Sequence, residues 1–160
     1  MLSIRLANLD DAADEQIAVE LLDMYCRDEM GDSKPLSEHA RASLFPGLRE
    51  HGGGVVLIAF ETSDPHRPLP VGLAICLVGF SSFRGSKLLN IHDVAVSPAA
   101  RGQGVGRQLM QAIESEARAR CCTKITLEVR SDNLRAQKLY EQVGYHAAEP
   151  QQWFWSKILD

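Results

Sequence analysis

Apolar positions along the chain change their period several times, and each change marks an element. "SIRLA" (3–7) alternates as a short strand. "DDAADEQIAVELLDMYCRDEM" then spaces Ile17, Leu21, Leu22, Met24 and Tyr25 at helical intervals behind a group of acids, which suit the positive end of a helix dipole. "GDSKP" breaks that helix. Ser37 is placed to cap a second one reaching about Glu50, and the glycines of "HGGG" end it. "VVLIAFE" is an apolar run of strand length, "TSDPHRPLP" a turn-forming loop and "VGLAICLVGFSS" another strand, so the pair predicts an antiparallel hairpin with a long connection. "RGSK" turns the chain into "LLNIHDVAV", a strand stopped by Pro98, which has no N–H to give a ladder.

From there the order becomes strand, helix, strand, helix. Val105, Leu109, Ala112, Ile113 and Ala117 form a helical stripe with Arg107, Gln111, Glu114 and Arg118 opposite. "KITLEVR" (124–130) alternates as a strand. "SDN" caps a helix carrying Ala136, Leu139, Tyr140 and Val143, which Gly144 terminates. "WFW" (153–155) reads as a last strand, with Trp153 and Trp155 on one face opposite Phe154; burial in the core or in the seam of a homodimer is their expected use. The strand, helix and strand over 88–130 form a βαβ unit that requires parallel pairing, while the earlier hairpin is antiparallel. The expected fold class is therefore α/β with a mixed sheet, in a single domain over 1–160.

Composition narrows the function classes. With 160 residues, 45% apolar and 24% charged, the chain has the make-up of an ordinary globular domain large enough for a proper core. No apolar run approaches the ~20 residues of a membrane span, and the N-terminus lacks the organisation of a signal peptide, so no membrane partner is expected. Cys26, Cys76, Cys121 and Cys122 form neither a CxxC pair nor a metal-ligand spacing, which fits a reduced cytoplasm and no bound metal. Cys121 and Cys122 read as small apolar residues near a strand start.

Charge is uneven. Residues 1–40 hold ten acids and three Lys/Arg, a balance of −7, and residues 41–160 carry +3. No concentrated basic face is available for nucleic acid. The distribution suits an anionic ligand in the later part of the chain and a cationic one near its front.

The anion has an obvious seat. In "AVSPAARGQGVGRQL" (95–109) a helix begins without a Ser, Thr, Asp or Asn cap and without acids, but with three glycines and two arginines. The first amides of a helix have no partners within it, and Gly102, Gly104 and Gly106 let another group approach closely. A phosphate or pyrophosphate is favoured at such an end, and Arg101 and Arg107 complement it once bound. The missing cap is a ligand. A P-loop would require GxxxxGK[ST], and the one GSK, at 85–87, lacks it; a Rossmann turn would require GxGxxG after a first strand, whereas GxGxG follows about the fourth.

The pattern Arg-x-x-Gly-x-Gly at 101–106 resembles the acetyl-CoA signature of the GNAT N-acetyltransferase superfamily. "VAVSPAARGQGVGRQLM", "ITLEV" and "NLRAQKLYEQVGY" are similar to that family's successive core elements in order and spacing, over about Leu88 to Tyr145. The resemblance implies antiparallel N-terminal strands followed by a parallel acetyl-CoA-binding core. It implies that the turn of Arg101, Gly102, Gln103, Gly104, Val105 and Gly106 cradles the CoA pyrophosphate, and that Val94, Ala95 and Val96 offer backbone groups to the pantetheine arm. Asn133 would hydrogen-bond that arm, Ala136 would adjoin it, and Tyr140 would protonate the leaving thiolate. The implied reaction is direct attack of an amine, from a small molecule or a peptide, on acetyl-CoA. A non-catalytic acyl-CoA sensor is the alternative.

The base is where this sequence departs from the pattern. Many members carry a glutamate on the strand matching 88–96, and here "IHDVAV" stands instead. Histidine is a residue type suited to proton transfer, which makes His92 one candidate; Asp93 could act through water or hold an ammonium, and as neighbours on a strand the two should face opposite sides. Glu128 is a further candidate. Tyr145 occupies a place where phenylalanine is usual. Phe80, Phe83, Tyr25 and Met30 are the candidates to line an acceptor pocket.

Overall fold

A computed structural model describes residues 1–159. The elements follow in the order β1 (Leu2–Leu6), α1 (Ala12–Cys26), α2 (Glu38–His51), β2 (Gly54–Glu61), β3 (Leu69–Ser81), β4 (Ser86–Val96), a short 3-10 turn (Pro98–Ala100), α3 (Val105–Ala119), β5 (Lys124–Leu127) and α4 (Leu134–Gln142). The sheet runs β1-β2-β3-β4-β5; neighbours pair antiparallel except β4 and β5, which are parallel. The mixed α/β sheet and the parallel crossover through α3 are those the residue periods require.

Local signals set the helix ends. The Asp11 carboxylate accepts the Ala13 amide at 2.7 Å, and the Ser37 hydroxyl accepts that of Ala40 at 3.1 Å. Gly52 closes α2 at φ +71°, and the Asn133 side chain caps α4 through the Ala136 amide at 3.1 Å. Among the described residues, α3 alone of the helices has no side-chain cap.

The sheet is covered on both faces, so β2 is apolar at every interior position. Val55, Leu57 and Ala59 pack towards α3, and Val56, Ile58 and Phe60 towards α1 and α2. Val105, Leu109, Met110, Ile113 and Ala117 of α3 are buried, with Met110 rather than Ala112 completing the stripe. A buried Leu, Ile, Val or Met contributes about 1.5–3 kcal/mol of transfer free energy, enough in combination to fix where the uncapped end of α3 lies.

Several expectations change. β4 carries a bulge: Ile75 pairs with Asp93 and Cys76 with Ile91, leaving His92 without a partner. Leu89 and Ile91 before the bulge and Val94 and Val96 after it pack on the same cluster, so simple alternation fails at His92 and Asp93. β5 stops at Leu127 instead of continuing to Arg130, because its parallel pairing with β4 ends at Ile91, where the bulge begins.

The expected strand at 153–155 is absent, and Trp153, Phe154 and Trp155 are 76%, 75% and 86% exposed rather than part of the core. A lone alternating segment has no ladder to satisfy its backbone, and no edge of the sheet receives this one. Cys122 packs partly against the α3 cluster, but Cys121 is exposed at φ +59° just past the end of α3.

Candidate active site

The turn after β4 is built for close approach. Gly102 and Gly104 adopt φ +81° and +82°, in the left-handed region that side chains disfavour. Gly106 is favoured for a different reason: a Cβ there would lie 3.0 Å from Leu139 Cδ2, where α3 meets α4, so the leucine side chain would have to shift. The first α3 amide to reach a carbonyl is that of Gln108, 3.1 Å from Gly104 O. The amides of Val105, Gly106 and Arg107 are thus left at the mouth of a cavity of about 350 Å³.

The other walls of that cavity come from β4 and α4. Past the bulge, β4 has lost β5 as a neighbour, so Val94, Ala95 and Val96 turn a backbone edge to the cavity, on which the Val96 carbonyl accepts from Arg101 Nε at 3.2 Å. Asn133, Ala136 and Tyr140 face them from α4. Arg101, Gly102, Gly104, Val105 and Gly106 complete the set. Gln103 is not among them: its side-chain amide donates to the Ala99 carbonyl at 2.9 Å.

A second cavity of about 130 Å³ shares Tyr25, Met30, Val94, Asn133, Ala136 and Tyr140 with the first, and adds His92 and Glu128. Tyr140 therefore stands at the junction of the two. Burial pushes its hydroxyl up to about 12, so it is protonated at neutral pH. Tyr145 packs at 6.1 Å between ring centroids, and its buried hydroxyl has no hydrogen-bond partner. Of the four apolar candidates for an acceptor wall, Tyr25 and Met30 line both cavities; Phe80 and Phe83, near the β3–β4 turn, are 67% and 104% exposed.

Asp93 lies beside Tyr25 and is partly buried, which raises its carboxyl above the usual range. A raised carboxyl binds its proton more tightly in the folded chain, so its penalty is full above the folded value and vanishes below the unfolded one. Asp93→Asn is expected to raise Tm at pH 7, with the gain closing as pH falls below the ordinary carboxylate range. Parallel Tm profiles for the two proteins, measured by calorimetry, would show that Asp93 ionises without penalty.

Some lining residues carried no signal in the sequence. Arg135 joins Arg107 on the rim of the larger cavity; among the described residues neither pairs with a carboxylate, and Arg107 donates to Gln142 Oε1 at 2.8 Å. Asp28 also lines it, 2.7 Å from Arg101. It is the sole acid of residues 1–40 on either cavity; Asp14, Asp10 and Asp23 pair elsewhere, with Arg5, Arg49 and both Arg27 and Arg41. Negative charge on the lining of the second cavity therefore comes from Glu128, not from the acidic N-terminal helix, and Asp93 lines neither cavity.

Residues 18–145 match the family model described as "Acetyltransferase (GNAT) family". Among curated proteins, the chain is 28% identical over 118 residues to thialysine N-epsilon-acetyltransferase of Bos taurus, covering 73% of this chain and 69% of that one. It is 31% identical over 144 residues to the uncharacterized N-acetyltransferase YhfO of Bacillus subtilis (strain 168), covering 90% and 89%. Among solved structures, it superposes on AAC(6')-Iy, determined with the bisubstrate analog CoA-S-monomethyl-acetylneamine, with a TM-score of 0.78, 17% identity and 99% of each chain covered.

Proposed function

The chain belongs to the GNAT acetyltransferase family, and from that premise we propose that it moves an acetyl group from acetyl-CoA to a primary amine by direct attack, as a single cytoplasmic domain. The observation that carries this reading is Tyr140, which borders both the cavity with the glycine turn and the smaller one beside it.

The residues present suit the nucleotide thioester. Uncapped amides and two left-handed glycines accept a pyrophosphate, and the edge of β4 that β5 leaves uncovered at Val94 to Val96 accepts an arm with amide groups as an added strand would be accepted. Acetyl-CoA supplies the activated acyl group. The β4 amides that point away from β3 are placed to donate to a developing oxyanion. Tyr140 holds the proton that a leaving thiolate needs. Direct attack is favoured over an acyl-enzyme because no cysteine lines either cavity, and burial pushes the Cys76 thiol up to about 12.

An alkylammonium has a pKa of about 10 and must lose a proton before it attacks. Asp93, whose carboxyl burial raises, is our base through water, with His92 and Glu128 on the lining of the second cavity as the further candidates. Glu128, on the lining of the second cavity, also favours a cationic acceptor. The acceptor KM is expected to rise between low and physiological ionic strength, as the Debye length shrinks from ~30 to ~8 Å. A salt-independent KM with neutral or anionic amines preferred would remove this electrostatic selection.

Thermal shift with acetyl-CoA, CoA and ATP, followed by thiol release against cationic, neutral and anionic amines, tests the whole reading. Stabilisation by acetyl-CoA and CoA but not ATP, with thiol release for at least one amine, is expected. Stabilisation without turnover on any amine would favour an acyl-CoA sensor, and absence of stabilisation would overturn the reading.

A further inference from the structure

The acceptor side of the larger cavity is closed by the segment after α1, which is folded tightly on itself. The Asp28 carboxylate accepts the Met30 amide at 3.0 Å, and the Gly31 amide donates to Asp28 O at 2.9 Å. A Cβ on Gly31 would overlap the Tyr25 carbonyl oxygen, so this turn requires glycine. Its far end is anchored where the Leu36 amide donates to Asp23 at 2.8 Å, and Asp23 is held in turn by Arg27 and Arg41. The segment carries Met30 and follows directly on Tyr25, and both side chains line the two cavities.

Two arginines from the other side of the cleft grip it. Arg130 donates to the Glu29 carbonyl at 3.2 Å. Arg101, the first residue of the glycine turn, donates from Nε to the Val96 carbonyl at 3.2 Å and from Nη2 to Asp28 at 2.7 Å. Its side chain therefore joins the end of β4, the turn and the acceptor wall, across 73 residues of sequence. The pair is only partly exposed, at 34% for Arg101 and 19% for Asp28, which strengthens it relative to a surface ion pair. With two of its donors already engaged, Arg101 leaves the anion chiefly to the backbone amides.

We propose that Arg101 and Asp28 form a positioning latch through which an anion bound at the 101–106 turn orders the acceptor wall at residues 27–36. The latch rests on the acetyl-CoA reading above. Binding fixes the turn, the turn fixes Arg101, and Arg101 fixes Asp28 with the Met30 amide that Asp28 holds. Linkage makes the coupling reciprocal, so a wall ordered by the acceptor strengthens cofactor binding by the same factor.

Hydrogen exchange of the full chain with and without CoA tests the latch independently of any acceptor, with CoA affinity measured by calorimetry in parallel. In the wild type, CoA is expected to slow exchange in both 102–108 and 27–36. In Asp28→Asn, protection of 102–108 should persist and CoA affinity should hold or tighten, because Arg101 is released to the anion. Protection of 27–36 should fall by roughly 5-fold or more, the lower end of typical coupling factors. Arg101→Lys keeps the charge but loses the fork that spans Val96 and Asp28, and should behave likewise if the Asp28 variant does not fold. Equal protection of 27–36 in wild type and variant would overturn the latch, as would faster exchange there when CoA binds the wild type. Absence of CoA binding by calorimetry would overturn the acetyl-CoA reading itself, and the latch with it.

Discussion

Tyr140→Phe is expected to lower kcat by roughly 10²–10⁴-fold, the range for loss of a general acid, while CoA affinity barely changes. The substitution keeps the ring, and the ring is what packs: Tyr140 joins the α3 cluster and meets Tyr145 at an interplanar angle of 51°. What disappears is a hydroxyl pushed up to about 12 by burial and by the nearby Tyr25, at the junction of the two cavities. Such a group is protonated throughout the neutral range, so its loss removes a donor and leaves the charge of the site unaltered. Steady-state kinetics with acetyl-CoA and an amine found by the thiol-release screen, beside calorimetry with CoA, separates the two effects. Unaltered kcat would assign protonation of the leaving group to water.

Gly104→Val should weaken CoA binding by about 10²-fold, and Arg107→Ala should weaken it far less. At φ +82° a β-branched side chain is strained by about 1–3 kcal/mol, a factor of roughly 5 to 150 if binding must impose that conformation. Nothing lies within 4 Å of a Cβ placed on Gly104, so the protein itself does not obstruct valine; the cost comes from backbone conformation and from occupying the open space over the amides. Arg107 contributes a charge at an exposed rim, anchored by Gln142, where water screens it. Calorimetry with CoA on the two variants measures the difference. Comparable losses would show that side-chain charge, rather than amide geometry, holds the anion.

What the sequence made legible was local. A cap needs its own helix, as at Ser37 and Asn133, and a strand buried on both faces announces itself as a continuous apolar run, as at β2. The uncapped start of α3 was legible for the same reason, because the missing residue type and the glycines lie within one turn. The bulge at His92 was not, since it exists only in the register between β3 and β4. That register decides where β5 stops and which edge of β4 it leaves uncovered, so the cleft depends on a feature no single segment encodes. Asp28 was hidden likewise: nothing in "CRDEMGDS" marks one acid as the partner of an arginine in a distant turn. The aromatic tail failed in the opposite direction, because alternation promised a strand and no partner edge received it.

The exposed tail also divides the chromophores of the protein. Both tryptophans, Trp153 and Trp155, lie in it, while Tyr25 and Tyr140 line the cavities and Tyr145 packs on Tyr140. Emission excited at the red edge, where only indole absorbs, reports the tail and is nearly blind to melting of the sheet. The ultraviolet difference spectrum of the phenols reports the cleft. A ligand titration followed by phenol absorbance and a docking event followed by indole emission are thus optically separate experiments on one unlabelled chain.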